Sequence, residues 1–291
     1  MPARRSRLLT AALFIWAAGW LVGTVRAVGC LAGRQLHADP NTADAFSLCA
    51  RCLEVALTAA TLVALTVLTV KTASDQPISR LGFFLPRTAP QVRRTVVSAA
   101  LYWVVISLGF FAATSFNVMV NTPVPPQHAA RLGDPATSVL DAVSSVIAGP
   151  MEEAFLPSAL VFFLVESRVA RPLIWVVVIA ARVSFHLYYG YSFAVGIAVW
   201  AVFAILFWNA TRNVLAMAVM HSAFNLVSVP NLHFHNLIPA LSLAGIAILV
   251  LLVFHREALQ QMDRISSAAN LRLEPPSFLR KPVRRSGVRV A

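Results

Sequence analysis

Two adjacent carboxylates, two imidazoles, a guanidinium and a carboxamide stand inside otherwise apolar stretches of this chain. They are Glu152-Glu153, then Arg182 and His186, then His221 and Asn225. In hydrocarbon an unpaired ionisable side chain costs on the order of 2.5–3.5 kcal/mol, even on insertion scales. Groups of both signs on three segments therefore predict one shared polar cavity. There an imidazole with a carboxamide can coordinate a metal or water, or donate to an oxyanion. Arg182 and His186 are spaced i, i+4, as are His221 and Asn225, so each pair shares a helix face. Glu152 and Glu153 point about 100° apart on a helix and cannot do the same job. One can face a bound water while the other turns toward a stabilising cation.

The elements that must hold these groups are membrane helices. Hydrophobic residues make up 58% of the 291 and charged ones 12%, against about a quarter charged in soluble domains. Apolar runs of spanning length, roughly 17–25 residues, fall at about 8–28, 47–70, 95–119, 138–165, 173–189, 192–208, 213–229 and 237–254. The expected fold is all-α, a polytopic membrane bundle of about eight transmembrane helices. Residues 1–255 form the membrane domain, with a catalytic core at about 138–230, and 256–291 form a basic, disordered or headgroup-associated tail. The first run is expected to be a retained helix rather than a leader cleaved near Ala27-Val28-Gly29.

The net charge of +12 does not point to nucleic acid, because the positive residues lie in connections and tails. Arg4, Arg5 and Arg7, then Lys71, Arg80, Arg87, Arg93 and Arg94, then Arg168, Arg171 and Arg212, and finally the Arg-rich C-terminus alternate with poorly charged loops. By the positive-inside rule both termini are cytoplasmic and membrane lipids are partners, with a membrane-associated peptide or protein substrate expected only if the polar cavity is hydrolytic. Cys49-Ala50-Arg51-Cys52 is a lone CxxC without a second ligand pair, and Cys30 is in reach of either member if the loop faces an oxidising side. His233 and His235 form an HxH-like pair at a predicted loop, where external metal pickup is the sharper alternative to plain exposure.

Glu-Glu on one helix, a histidine ending a short segment with Phe185 beside it, then HxxxN on a later helix resembles the CPBP group of intramembrane proteases. That group includes the CAAX prenyl endopeptidases and bacterial Abi, bacteriocin self-immunity proteins. The similarity covers about residues 145–230. It implies that Glu152 and His186 activate water, that His221 and Asn225 complete the site, and that Glu153 supports. It also implies a metal version, with zinc held by Glu152, His186 and His221. Two positions depart from the pattern. Pro157 stands where the EExxxR motif has arginine, and Arg182 stands where FxxxH has phenylalanine. The two departures are expected to compensate, with Arg182 pairing with Glu153 and keeping Glu152 ionised.

The expected activity is thus hydrolysis of a peptide bond within or beside the membrane. A non-catalytic immunity or scaffold protein is the alternative, and a proton- or ion-coupled transporter the more distant one. The eukaryotic branch of the group implies prenylated tails as substrates. High Ala, Val and Arg point instead to a GC-rich bacterium and its plasma membrane.

Overall fold

The computed structural model of the protein describes residues 2–31, 45–73, 78–120, 135–187, 190–234 and 238–267. Among the described residues all regular structure is helical. In chain order these are α1 (Pro2–Leu31), α2 (Ala45–Ala73), a 3-10 turn (Ile78–Leu81), α3 (Ala89–Val120), α4 (Pro135–Ala154), a π-helical turn (Phe155–Leu160) and α5 (Val161–Glu166). There follow α6 (Arg171–Ser184), α7 (Tyr191–Thr211), α8 (Val214–Phe234), α9 (Ile238–Val253) and α10 (His255–Ser267).

Four helical stretches are long and apolar enough to cross a membrane: Ser6–Gly29, Ala89–Val120, Ala142–Glu166 and Phe193–Thr211. A fifth arises if α9 and α10, bent by 97°, count as one broken span. Each expected run contains a helix, but the fifth run is corrected. The helix there stops at Ser184 after 14 residues, a rise of about 21 Å against a hydrocarbon core of about 30 Å. Apolarity continues past that point, so hydropathy does not mark the stop. A turn through Phe185 and His186 makes it, with the His186 amide donating to the Val183 carbonyl at 2.9 Å.

The tail, expected from 256 to be disordered or headgroup-associated, is helical over 256–267, while 268–291 lie outside the described residues. Polar composition hides an amphipathic helix there. Ala258 and Gln261 are buried, with Ile265 packed below them. Gln261 accepts from the Ser98 hydroxyl at 2.8 Å, and Arg93 pairs with Glu257 at 2.7 Å. Anchored this way, α10 turns across the start of α3 instead of trailing away.

The same end of the bundle gathers the connection before α3 and the turn between α7 and α8. The Trp208 indole donates to the Leu81 carbonyl at 2.8 Å, and the Val214 amide to Gly82 at 3.2 Å. Asn213 caps α8, its side-chain oxygen accepting from the Ala216 amide at 3.1 Å. Arg212 ends α7 in the left-handed region, its guanidinium 3.9 Å above the Trp208 ring. Burial pulls that guanidinium down to about 10, so it stays charged at neutral pH.

The core is helix on helix, with α3 packed most extensively on α7 and α4 on α8. Small residues make the first contact possible. A Cβ on Gly196 would collide with the Ala113 side chain and the Gly109 carbonyl, and one on Gly109 would lie 2.7 Å from the Trp200 Cβ. Without a hydrophobic drive between helices in lipid, such close approach is what holds neighbours together. It also brings Tyr102 to Trp200, whose indole donates to the Tyr102 hydroxyl at 3.2 Å.

Gly196→Ala is expected to destabilise the bundle by about 1–3 kcal/mol through overpacking, read as a lower unfolding midpoint in detergent. A midpoint at or above that of the wild type would show that α3 and α7 have slack at this contact.

Candidate active site

The rod that carries the glutamates has two prolines in its interior, Pro150 and Pro157. Pro157 has no N–H to give to the Glu153 carbonyl four residues earlier. The helix widens there into the π turn, and the Ser158 hydroxyl takes over. It donates to the Glu153 carbonyl at 3.0 Å, sharing its proton with the Ala154 carbonyl. The residues from Phe155 to Leu160 are all buried, so an orphaned carbonyl here has no solvent to turn to. Single π turns of this kind recur at functional sites.

Glu153, 0% exposed, is the centre of the cluster. One carboxylate oxygen accepts from the Arg182 guanidinium and from His221 Nδ1, the latter at 2.9 Å. The same guanidinium nitrogen lies 3.5 Å from Glu152 Oε2. Arg182 therefore pairs with Glu153, as the sequence leads one to expect, and touches both carboxylates. Its guanidinium also lies 3.7 Å from the centre of the Trp200 ring, which meets His221 edge-on at 4.6 Å. A planar cation suits this place, because one face can stack while its edge bonds two acids.

His186 is not on the helix face that its spacing predicts, because α6 has already ended. It folds back instead, with Nδ1 against the Arg182 carbonyl at 2.8 Å. A carbonyl only accepts, so Nδ1 carries the proton and the lone pair of the neutral ring is on Nε2. His221 likewise directs an Nδ1 proton, here at the Glu153 carboxylate. Trp20 of α1 roofs this region, stacked on Phe155 at 5.2 Å and tilted against Phe185 at 5.9 Å. Thr24 joins the Ser184 hydroxyl at 3.2 Å.

The structure thus brings Glu152, Glu153, Arg182 and His221 together, with His186 on the Arg182 backbone. Asn225 lies one turn beyond His221 on α8, half-buried, and no hydrogen bond joins it to the cluster among the described residues. An imidazole whose Nδ1 is fixed by a carboxylate or a carbonyl is the usual form of a metal ligand. Yet among the described residues no group of three or more His, Cys, Asp or Glu side chains is placed to hold a metal ion. Glu152, His186 and His221 form no such group in this arrangement. Cys52 is a free, half-buried thiol. His235 and the side chains of Cys30, Cys49 and His233 lie outside the described residues.

Tyr102 and Trp200 belong to the cluster and do not emerge from sequence reasoning. Their signal is real, since an indole N–H or phenol O–H in a span needs a partner. With six tryptophans and four tyrosines in the chain, composition does not pick these two. No family model, curated protein or solved structure matches the chain.

Arg182→Met leaves two carboxylates buried against each other and is expected to cost about 3–5 kcal/mol, measured by unfolding in mixed micelles. Adding Glu153→Gln should recover part of that loss. Equal stability of the single variant and the wild type would mean that the guanidinium does not hold the fold.

Proposed function

We propose that the chain is an intramembrane endopeptidase of the CPBP type, a multi-pass protein of a bacterial plasma membrane. In this reading about eight segments traverse or enter the bilayer, with both termini cytoplasmic. The observation that carries the proposal is the division of labour between the two glutamates. One oxygen of Glu153 is engaged by a cation and an imidazole and its other oxygen is sealed in, at 0% exposure, whereas among the described residues Glu152, 6% exposed, has only the longer contact to Arg182 and its Oε2 has no hydrogen-bond partner. An acid so placed remains available to a water molecule, while its neighbour holds the apparatus.

In this mechanism Glu152, with His186 Nε2 as the nearby base, takes the proton of the attacking water. The hydroxide adds to the peptide carbonyl carbon, and the proton is then passed to the leaving amine. His221 stabilises the oxyanion through Nε2, which requires that ring to carry both protons. Two carboxylates and one guanidinium leave one negative charge, and a protonated His221 balances it with Glu153 as counter-charge. Asn225 supplies a second donor once a substrate draws it in. Arg182, from another helix, does what the arginine absent at Pro157 would do.

Closure of the cluster favours a second reading. Glu153 and Arg182 are at most 1% exposed, and Glu152 and His186 only 6% and 7%. A non-catalytic immunity or scaffold protein can keep such a sealed ion cluster purely as a determinant of its fold.

Reconstituted in liposomes with membrane-anchored peptides, the wild type is expected to cleave, and Glu152→Gln to be slower by about 10²–10⁴-fold. Cleavage by the glutamine variant at the wild-type rate would remove Glu152 from the chemistry. No cleavage by the wild type, with a partner still protected by Glu152→Gln, selects the scaffold.

A further inference from the structure

Pro150 stands two residues before Glu152 and has no N–H to give. In a regular helix that N–H would bond the carbonyl four residues earlier, that of Val146. Here the Ser222 hydroxyl, from α8, donates to the Val146 carbonyl at 2.7 Å. Gly149 makes room for it: a Cβ there would collide with the Ala218 carbonyl and the Ser222 hydroxyl, and would lie 2.8 Å from the Ser222 amide. The residue next to Ser222 is His221, whose Nδ1 bonds Glu153 at 2.9 Å. Carbonyls point forward along a helix and side chains lean back. Val146 and Glu153, seven residues apart, therefore meet α8 near the level of Pro150.

We propose that Ser222 is a positioning residue: by bonding the carbonyl that Pro150 orphans, it sets the register and rotation of α8 that place His221 on Glu153. Three sequence features otherwise unrelated then belong to one device. Gly149 admits α8, Pro150 frees an acceptor, and Ser222 takes it one residue from the imidazole. Val146 is 48% exposed and lies in the Ala142–Glu166 stretch that is long and apolar enough to cross a membrane; with that stretch in a bilayer, water does not stand in for the serine. Any consequence for catalysis rests on the peptidase reading above, whereas the positioning is read without activity.

The test uses the full-length protein in lipid nanodiscs with ¹⁵N-labelled histidine, the His221 ring resonances being those lost in His221→Asn. Ser222→Ala is expected to shift the His221 Nδ1 resonance away from its carboxylate-bonded position and to lower peptide cleavage. Made in a Pro150→Ala background, where a backbone N–H again serves Val146, the same serine change is expected to lose its effect. Should either protein fail to fold, Ser222→Thr and Ser222→Val decide. They share shape, and only the threonine is expected to keep the wild-type resonance. An unmoved resonance in Ser222→Ala, an equal shift in both backgrounds, or equal behaviour of threonine and valine overturns the proposal. If the resonances behave as expected and no protein cleaves peptide, the positioning stands and the peptidase reading falls.

Discussion

A guanidinium buried beside two carboxylates is the constraint to which the rest of this protein is fitted. Taking either sign of charge alone into a low-dielectric interior costs several kcal/mol, and the attraction between them repays that only when geometry is good and remaining polar atoms are bonded. Arg182 meets the first condition by bonding Glu153, reaching Glu152 at 3.5 Å and stacking on Trp200, while its Nε and one oxygen of each glutamate have no hydrogen-bond partner among the described residues. Each contact comes from a different element: the glutamates from α4, the arginine from α6, the indole from α7. His221 of α8 adds a second donor to Glu153. Four helical segments are thus committed to one point before any apolar packing is considered. In a bilayer, where lipid competes with apolar side chains on equal terms, such a polar point supplies specificity that greasy surfaces lack.

Backbone satisfaction is the second demand, and the prolines make it acute. Each interior proline of the α4 rod deletes a donor, and each time a serine hydroxyl restores the bond: Ser158 at the Glu153 carbonyl, Ser222 at the Val146 carbonyl. The first repair is local and comes with a π turn that broadens the helix immediately after the glutamates. The second is interhelical and ties α8 to α4. Helix breakers here build the site rather than weaken it, because a freed carbonyl is an acceptor that a neighbouring helix can use.

Much of this is legible in the residues themselves. Hydropathy locates the helices, since spans must be long and apolar, and the cost of burying charge announces that the polar residues meet. The partnership of Arg182 with Glu153 follows from the need of a buried guanidinium for a carboxylate. Other features are opaque for identifiable reasons. The end of α6 at Ser184 falls inside an apolar run. The helix from His255 to Ser267 is too polar to register as buried, although its Ala258 and Gln261 face reads clearly once α3 lies beneath it. Tyr102 and Trp200 each offer a single polar atom, too weak a mark among so many aromatic residues.

By itself, then, the sequence determined that this is a helical, membrane-compatible chain with a small set of ionisable groups that must share a cavity. Those conclusions depend only on composition, run length and the energetics of charge in hydrocarbon. Which glutamate stands at the centre, how His186 turns back onto Arg182, and whether Asn225 reaches the others were decided by tertiary structure. Adjacent positions on a helix differ by about 100°, so their roles turn on helix rotation. Rotation is set by contacts between residues far apart in sequence, Gly109 with Gly196 and Gly149 with Ser222. No local pattern encodes such contacts, because each residue becomes informative only when its partner helix is in place.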